Sequence, residues 1–106
     1  MDKSSNMVDK YTDDLGIYGD HRYFLHVRAN PSFNQPSDFA VVVYYNDSSS
    51  KERVQIVRVD QAHGYTHIDQ LYRRENQKPA VDWDIWDAVQ QLKSNWRQYA
   101  ESFHNK

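Results

Sequence analysis

The chain of 106 residues contains no cysteine. Disulfide bonds, thiolate metal ligands and cysteine nucleophiles are therefore excluded. The absence also suits a reducing compartment, and we predict a cytoplasmic protein. No stretch approaches the ~20 consecutive apolar residues of a transmembrane helix, so we predict no association with a membrane. Glycine and proline occur only three times each, so the few that are present help to locate turns.

An excess of either charge is missing as well. The 13 lysine and arginine residues nearly balance the 15 aspartate and glutamate residues, for a formal net charge of −2. A chain without a broad basic field is poorly suited to duplex DNA, which we regard as a disfavoured partner. The mean hydropathy of −0.97 is low, but aromatic residues make up 14% of the chain. Because aromatic side chains bury much area, this composition predicts one folded domain.

Four segments have the apolar pattern of β-strands. They lie at 22–29, 38–45, 51–59 and 66–74. The second is apolar on both faces, which is typical of a central strand. The third, K-E-R-V-Q-I-V-R-V, has apolar pairs on opposite faces, which predicts a bulge near Ile56-Val57 or burial of both faces. Short links between consecutive strands predict an antiparallel meander.

Apolar residues at alternating spacings of four and three predict one long C-terminal helix. They are Ile85, Val89, Leu92, Trp96, Tyr99 and Phe103. Asp82 is the expected N-cap, and Trp83 and Trp86 indicate a lid over the core rather than a platform for a ligand. The helix must bury its apolar stripe, and one face of the sheet is the simplest partner. A second helix in a dimer is the alternative.

These elements predict an α+β fold, in which a four-stranded antiparallel β-meander packs against one long C-terminal α-helix in two layers. Residues 21–106 would form this single β4α domain. Residues 1–20 contain five aspartates against two lysines, and Gly16 and Gly19 interrupt any helical pattern. We expect residues 1–20 to form a flexible acidic N-terminal arm. The alternative is that Leu15, Ile17 and Tyr18 dock as a short edge strand or contact a partner.

The segment at 60–74, D-Q-A-H-G-Y-T-H-I-D-Q-L-Y-R-R, concentrates groups suited to proton transfer, metal ligation or anion binding. Histidine titrates near neutral pH, so His63 and His67 are candidate catalytic residues for acid–base chemistry, together with Tyr65. His26, in the first predicted strand, is a candidate to join them across the sheet. The candidate binding residues are the charged side chains nearby, namely Arg58, Asp60, Asp69, Arg73 and Arg74.

Two other interpretations of the histidines remain open. A four-residue spacing places both imidazoles on one side only in a helix, and Gly64 interrupts a helix here. His63 and His67 could still converge with Asp60 or Asp69 into a zinc-like or iron-like set. In a structural interpretation, the histidines decorate the end of a hairpin and Asp60 caps the turn. We predict no metal ion and no cofactor.

Two motifs carry a family resemblance. The segment D-Q-A-H-G-Y-T-H at 60–67 and the segment L-K-S-N-W at 92–96 resemble a small uncharacterised prokaryotic domain, mostly archaeal. Its pattern is D-x-A-H-G-x-x-H followed by a terminal L-K-x-N-W helix, and it carries no known activity. The chain more loosely resembles TumE-like toxin proteins, with H-x-x-x-H where that family has H-x-H. That resemblance implies a toxin neutralised by a cognate antitoxin, with His63 and His67 at the matching positions.

The functional prediction is a non-catalytic interaction domain that binds a partner protein or itself. Its surfaces would be the exposed face of the sheet and the flank of the helix. The alternative is a toxin of the toxin–antitoxin type, or a metal-independent ribonuclease, that uses His63 and His67. Residues 51–78 hold six lysines and arginines against four acids. This mild basic excess makes a short RNA a second candidate ligand.

Overall fold

The computed structural model describes residues 8–61, 65–71 and 79–105, and these residues form one sheet and one helix. The strands are β1 (Asp9–Tyr18), β2 (His21–Asn30), β3 (Asp38–Asn46), β4 (Arg53–Asp60) and β5 (His67–Gln70), and the helix is α1 (Ile85–His104). The sheet has the order β1-β2-β3-β4-β5, with every neighbouring pair antiparallel. The predicted α+β class, the antiparallel meander and the C-terminal helix are therefore confirmed.

The predicted number of strands is wrong, because the sheet has five strands and not four. The additional strand, β1, comes from the segment that we assigned to an acidic arm. Its aspartates are compatible with a strand because partners hold them: Asp14 pairs with Arg22 at 2.8 Å and Asp13 with Lys93 at 3.4 Å. Gly16, at φ 116°, lies where the β1–β2 register shifts. The glycine thus forms a bulge within the strand and does not end it.

A second bulge lies in β4. Val43 of β3 is opposite Val57 and Tyr44 is opposite Gln55, which leaves Ile56 as the extra residue. Ile56 and Val57 are both fully buried. This confirms the predicted bulge near Ile56-Val57, and it explains how β4 directs apolar residues to the core despite its broken alternation.

The helix buries the predicted stripe against one face of the sheet. Its buried residues are Ile85, Ala88, Val89, Leu92, Trp96 and Ala100, and Tyr99 and Phe103 are partly buried against the same core. The N-cap is Asp84 and not the predicted Asp82. Asp84 accepts a hydrogen bond from the Asp87 backbone while the Asp87 side chain accepts one from the Asp84 backbone. This reciprocal capping box stabilises a helix that starts after Asp84, and therefore two residues later than the sequence predicts.

The side of the sheet opposite the helix is named here the open face. Strand alternation and the cross-strand pairings place on it, among other described side chains, Lys10, Thr12, Asp14, Arg22, Phe24, His26, Arg28, Asp38, Ala40, Val42, Tyr44, Arg53, Arg58, Asp60, His67 and Asp69. Two of its rows run across the strands, from Lys10 through Arg28 to Asp60 and from Thr12 through His26 to Arg58. The open face is therefore polar and charged, unlike the apolar face under the helix.

In the part of the chain that the structure describes, no helix combines the length and the apolar character needed to cross a membrane.

Candidate functional site

The described members of the predicted site lie where β4 meets β5 on the open face. Asp60 is directly opposite His67, and Arg58 is directly opposite Asp69. Tyr65 lies two residues before β5 starts its pairing. The other three predicted site residues, His63, Arg73 and Arg74, lie outside the described residues. The structure thus brings together one of the two histidines, its flanking acids and one arginine.

His67, Asp60 and Arg58 form a hydrogen-bonded chain. His67 Nε2 lies 2.9 Å from Asp60 Oδ1, and Arg58 Nε donates to Asp60 Oδ2 at 2.6 Å. On the other side of the imidazole, Nδ1 lies 3.4 Å from the backbone carbonyl oxygen of Tyr65. His67 is only 2% exposed and Asp60 only 7%. Both ring nitrogens and both carboxylate oxygens therefore face protein groups, which is the arrangement of a structural clamp.

The burial of His67 comes from a segment that precedes the helix. Ala80 forms an isolated bridge with His67. Ile68 N–H donates to the Pro79 carbonyl at 3.0 Å, and Val81 N–H donates to the Thr66 carbonyl at 3.0 Å. These bonds cover the outer edge of β5 over its first residues, so His67 is enclosed on the side away from β4.

Of the two described residues in the predicted catalytic set, Tyr65 is the accessible one. Its side chain is 45% exposed, and its ring centroid lies 5.4 Å from that of His67 at an interplanar angle of 54°. The tyrosine ring therefore packs beside the buried imidazole and leaves its own outer surface open. Such an arrangement shields the histidine more than it supplies a second proton-transfer group to it.

A shallow depression of about 190 Å³ adjoins Arg58 and Asp60. Arg28, Asp38, Phe39 and Gln61 complete its lining. Arg28 lies 3.7 Å from Asp38, so each arginine of the depression faces its own carboxylate. Among residues 8–61, 65–71 and 79–105, no group of three or more histidines and acids is arranged to hold a metal ion. The depression is consequently a balanced polar surface.

His26 does not join the β4–β5 cluster. It lies on β2, three strand spacings from β5, which corresponds to roughly 14 Å. Its Nδ1 is hydrogen-bonded to Thr12 Oγ1 of β1 at 2.8 Å. Burial lowers the pKa of His26, and the positive charges of Arg53, Lys10 and Arg28 lower it further. Three positive charges therefore lie near His26 in this part of the open face.

We refer to four neighbouring residues as the basic patch, namely Lys10, His26, Arg28 and Arg53. The Arg53 guanidinium lies 4.6 Å from the centroid of the Tyr44 ring, and the Phe24 and Tyr44 rings stack at 5.5 Å. The patch therefore borders an aromatic pair. The sequence did not predict this patch, because Lys10 lies near His26 only through the pairing of β1 with β2. β1 is not one of the four predicted strands.

Comparisons with known proteins place the chain with one family. A family model described as a domain of unknown function (DUF7718) matches residues 2–106. No curated protein and no solved structure matched the chain.

Proposed function

We propose that this chain, which belongs to the DUF7718 family of domains of unknown function, is a non-catalytic interaction domain whose open face binds an acidic segment of a partner protein. A cytoplasmic location is part of this proposal, because a chain without cysteine suits a reducing compartment. The observation that carries the proposal is the convergence of three cationic side chains around His26 on the face opposite the helix.

The charges of the basic patch are only partly neutralised within the described residues. Lys10 and Arg53 make no ion pair there, and the ion pair of Arg28 with Asp38 is long, at 3.7 Å. Elsewhere on the sheet, Asp14 and Asp60 are held by arginines at 2.8 and 2.6 Å. The available charge at the patch is therefore positive, although the whole chain has a formal net charge of −2. Carboxylates of a partner would complement it.

The patch also borders one apolar side chain that a peptide could contact. Phe24 is half-buried, whereas the neighbouring Val42 and Tyr44 are buried. An extended acidic segment laid across the strands would place apolar residues on Phe24 and its carboxylates over Lys10 and Arg53. A protein partner uses both features, whereas a bare anion would use only the charges.

The geometry of His67 favours binding over catalysis. A general base needs a ring nitrogen that can reach a substrate. In this structure the His67 nitrogens face Asp60 and the Tyr65 backbone, and the side chain is buried. The competing proposal is a toxin-type or metal-independent ribonuclease that uses His63, His67 and Tyr65. It rests on the composition of the 60–74 segment and on the resemblance to TumE-like toxins.

The binding proposal is tested with a synthetic peptide that alternates glutamate with leucine. We expect saturable binding by calorimetry, and an increase in the pKa of His26, followed by NMR, because bound carboxylates offset the nearby cations. The variant Lys10→Gln/Arg53→Gln should bind about tenfold more weakly, equivalent to ~1.4 kcal/mol. Lys93→Gln removes one positive charge from the helix, on the opposite side of the sheet, and should bind like the wild type.

Two results would overturn the proposal. One is an unchanged affinity in the Lys10→Gln/Arg53→Gln variant, which would locate peptide binding elsewhere. The other is binding of a single-stranded RNA of matched charge in preference to the peptide, with the same dependence on Lys10 and Arg53. The open face would then be a nucleic-acid surface.

Induced expression in a heterologous host distinguishes the ribonuclease alternative from the binding proposal. Under the binding proposal, cells that produce the wild type and the His63→Ala/His67→Ala variant grow equally. Growth arrest by the wild type that both this variant and Tyr65→Phe relieve would support the toxin and contradict the binding proposal. Tyr65→Phe serves as the control for folding, because the exposed ring is retained and only its hydroxyl is removed.

A further inference from the structure

An aromatic cavity lies at the start of α1. Its volume is about 460 Å³. Four aromatic residues contribute to its lining, namely Phe33, Phe39, Trp83 and Trp86. Trp86 is 48% exposed, so it does not form the lid over the core that the sequence predicts, whereas Trp83 is partly buried against the core. The exposed indole instead forms one wall of a cavity that opens to solvent.

The walls of this cavity are held in place by packing. The loop between β2 and β3 is fixed to β1 because Phe33 N–H donates to Asp9 Oδ2 at 2.9 Å. The Phe33 ring also packs edge-on against Tyr11 at 5.6 Å. On its other side, Phe33 meets Trp86 at 5.6 Å and an interplanar angle of 56°. Two aromatic faces thus form a corner that exists before any ligand arrives.

The electrostatic character of the cavity is negative. Its lining includes Asp82 and Asp84 and, among the residues that the structure describes, contains no lysine, arginine or histidine. Asp84 is occupied by the capping box with Asp87, which satisfies the first backbone N–H groups of the helix. Asp82 makes no hydrogen bond or ion pair with the described part of the chain and is exposed. One carboxylate therefore remains available beside the aromatic corner.

We propose that this cavity binds an organic cation, a quaternary ammonium or guanidinium group, with Trp86 and Phe33 against the cation and Asp82 as its counter-charge. Aromatic faces attract such weakly hydrated cations through the ring quadrupole, and a neutral group of the same shape lacks that attraction. Free small molecules and the arginine side chain of a protein both carry this chemistry. The cavity shares Phe39 and Gln61 with the neighbouring depression, but the described charged residues of its own lining are acidic.

Two pairs of probes test the proposal. Choline is compared with its neutral analogue, in which carbon replaces the quaternary nitrogen, and a short arginine peptide is compared with the same peptide containing citrulline. Binding is followed by the NMR signals of the indole N–H groups. We expect saturable shifts at Trp83 and Trp86 with the cationic member of at least one pair. Trp96, which is buried in the core under the helix, is the internal control and should not shift.

Two variants locate the site. Trp86→Leu removes an aromatic face and Asp82→Asn removes the counter-charge, and each should weaken binding of the cation by about tenfold. Asp20→Asn, an equivalent change at another exposed position, should have no effect. A preference for choline identifies a free ammonium compound, and a preference for the arginine peptide identifies a protein side chain. Equal shifts with the neutral analogues, or no saturable shift with either cation, would overturn the proposal.

Discussion

The imidazole of His67 lies 2.9 Å from the carboxylate of Asp60, and the two residues are directly opposite each other on β4 and β5. Both are buried, and Arg58 holds the second carboxylate oxygen. The pair thus links the last two strands of the sheet, where β5 has only four residues. We expect this link to stabilise the register of the short strand.

Replacing Asp60 by alanine should destabilise the protein. His67 and Arg58 would both lose an acceptor, and a buried polar group without a partner costs about 1–3 kcal/mol. We expect the free energy of unfolding in urea to fall by about 2–3 kcal/mol. The exposed Asp20→Ala should change it by less than about 0.5 kcal/mol. A similar small change for Asp60→Ala would show that the clamp does not stabilise the sheet.

The stability of the protein should depend on pH through His26. Burial and the nearby Arg53, Lys10 and Arg28 lower the pKa of His26 in the folded state below its unfolded value, about 6.5. The folded protein therefore binds fewer protons than the unfolded chain within that interval. The resulting contribution to stability is present above about pH 6.5 and is lost as the pH falls towards the folded pKa.

The measurement is a set of urea unfolding curves between about pH 7.5 and about pH 5.5. The wild type should lose more stability on acidification than His26→Gln, which cannot gain the proton. Arg53→Gln should show an intermediate loss, because one of the charges that depress the His26 pKa is removed. If the wild type and His26→Gln change in parallel, His26 does not control this pH dependence.

The layers of the fold follow from the sequence because apolar periodicity is a local signal. The spacing from Ile85 to Phe103 predicts the helix, and the alternation of β2 predicts a strand with one buried face. The strand β1 has weaker signals, since its acids and glycines resemble those of a loop. Only partners far along the chain, such as Lys93 for Asp13, show why a strand forms there.

The sequence predicts which residues lie near one another in the candidate site, but it does not predict that His67 is buried. The sequence shows that Asp60 and His67 are near each other along the chain, and the hairpin register determines that they meet. Burial of His67, in contrast, depends on residues 79–81, which return to the outer edge of β5. That return is a tertiary feature with no periodic signal, so a histidine that suggests chemistry in the sequence lies enclosed in the fold.

A substitution at Gly16 tests how much β1, which is not one of the four predicted strands, contributes to stability. Its φ of 116° is unfavourable for any residue with a Cβ atom, although the nearest side-chain atom, Trp96 Cζ2, would be an ordinary 3.9 Å away. Gly16→Ala should therefore cost about 1–3 kcal/mol of stability through backbone strain and not through a clash. Gly19→Ala, at the more accessible φ of 64°, should cost less. Equal losses would show that the β1 bulge is not specifically constrained.

The predicted and the observed N-cap of α1 are different residues, Asp82 and Asp84. Asp84 Oδ1 accepts from the Asp87 backbone N–H at 2.8 Å, whereas Asp82 lies before the first turn. Asp84→Ala should lower the free energy of unfolding by about 1 kcal/mol, the usual cost of removing an N-cap. Asp84→Asn should retain most of it, because the amide oxygen also accepts. Asp82→Ala should change stability by less than about 0.5 kcal/mol.

A larger effect at Asp82 than at Asp84, measured by urea unfolding, would place the helix start where the sequence predicts it. That result would also assign the Asp82 carboxylate to the helix and remove it from the aromatic cavity as a counter-charge.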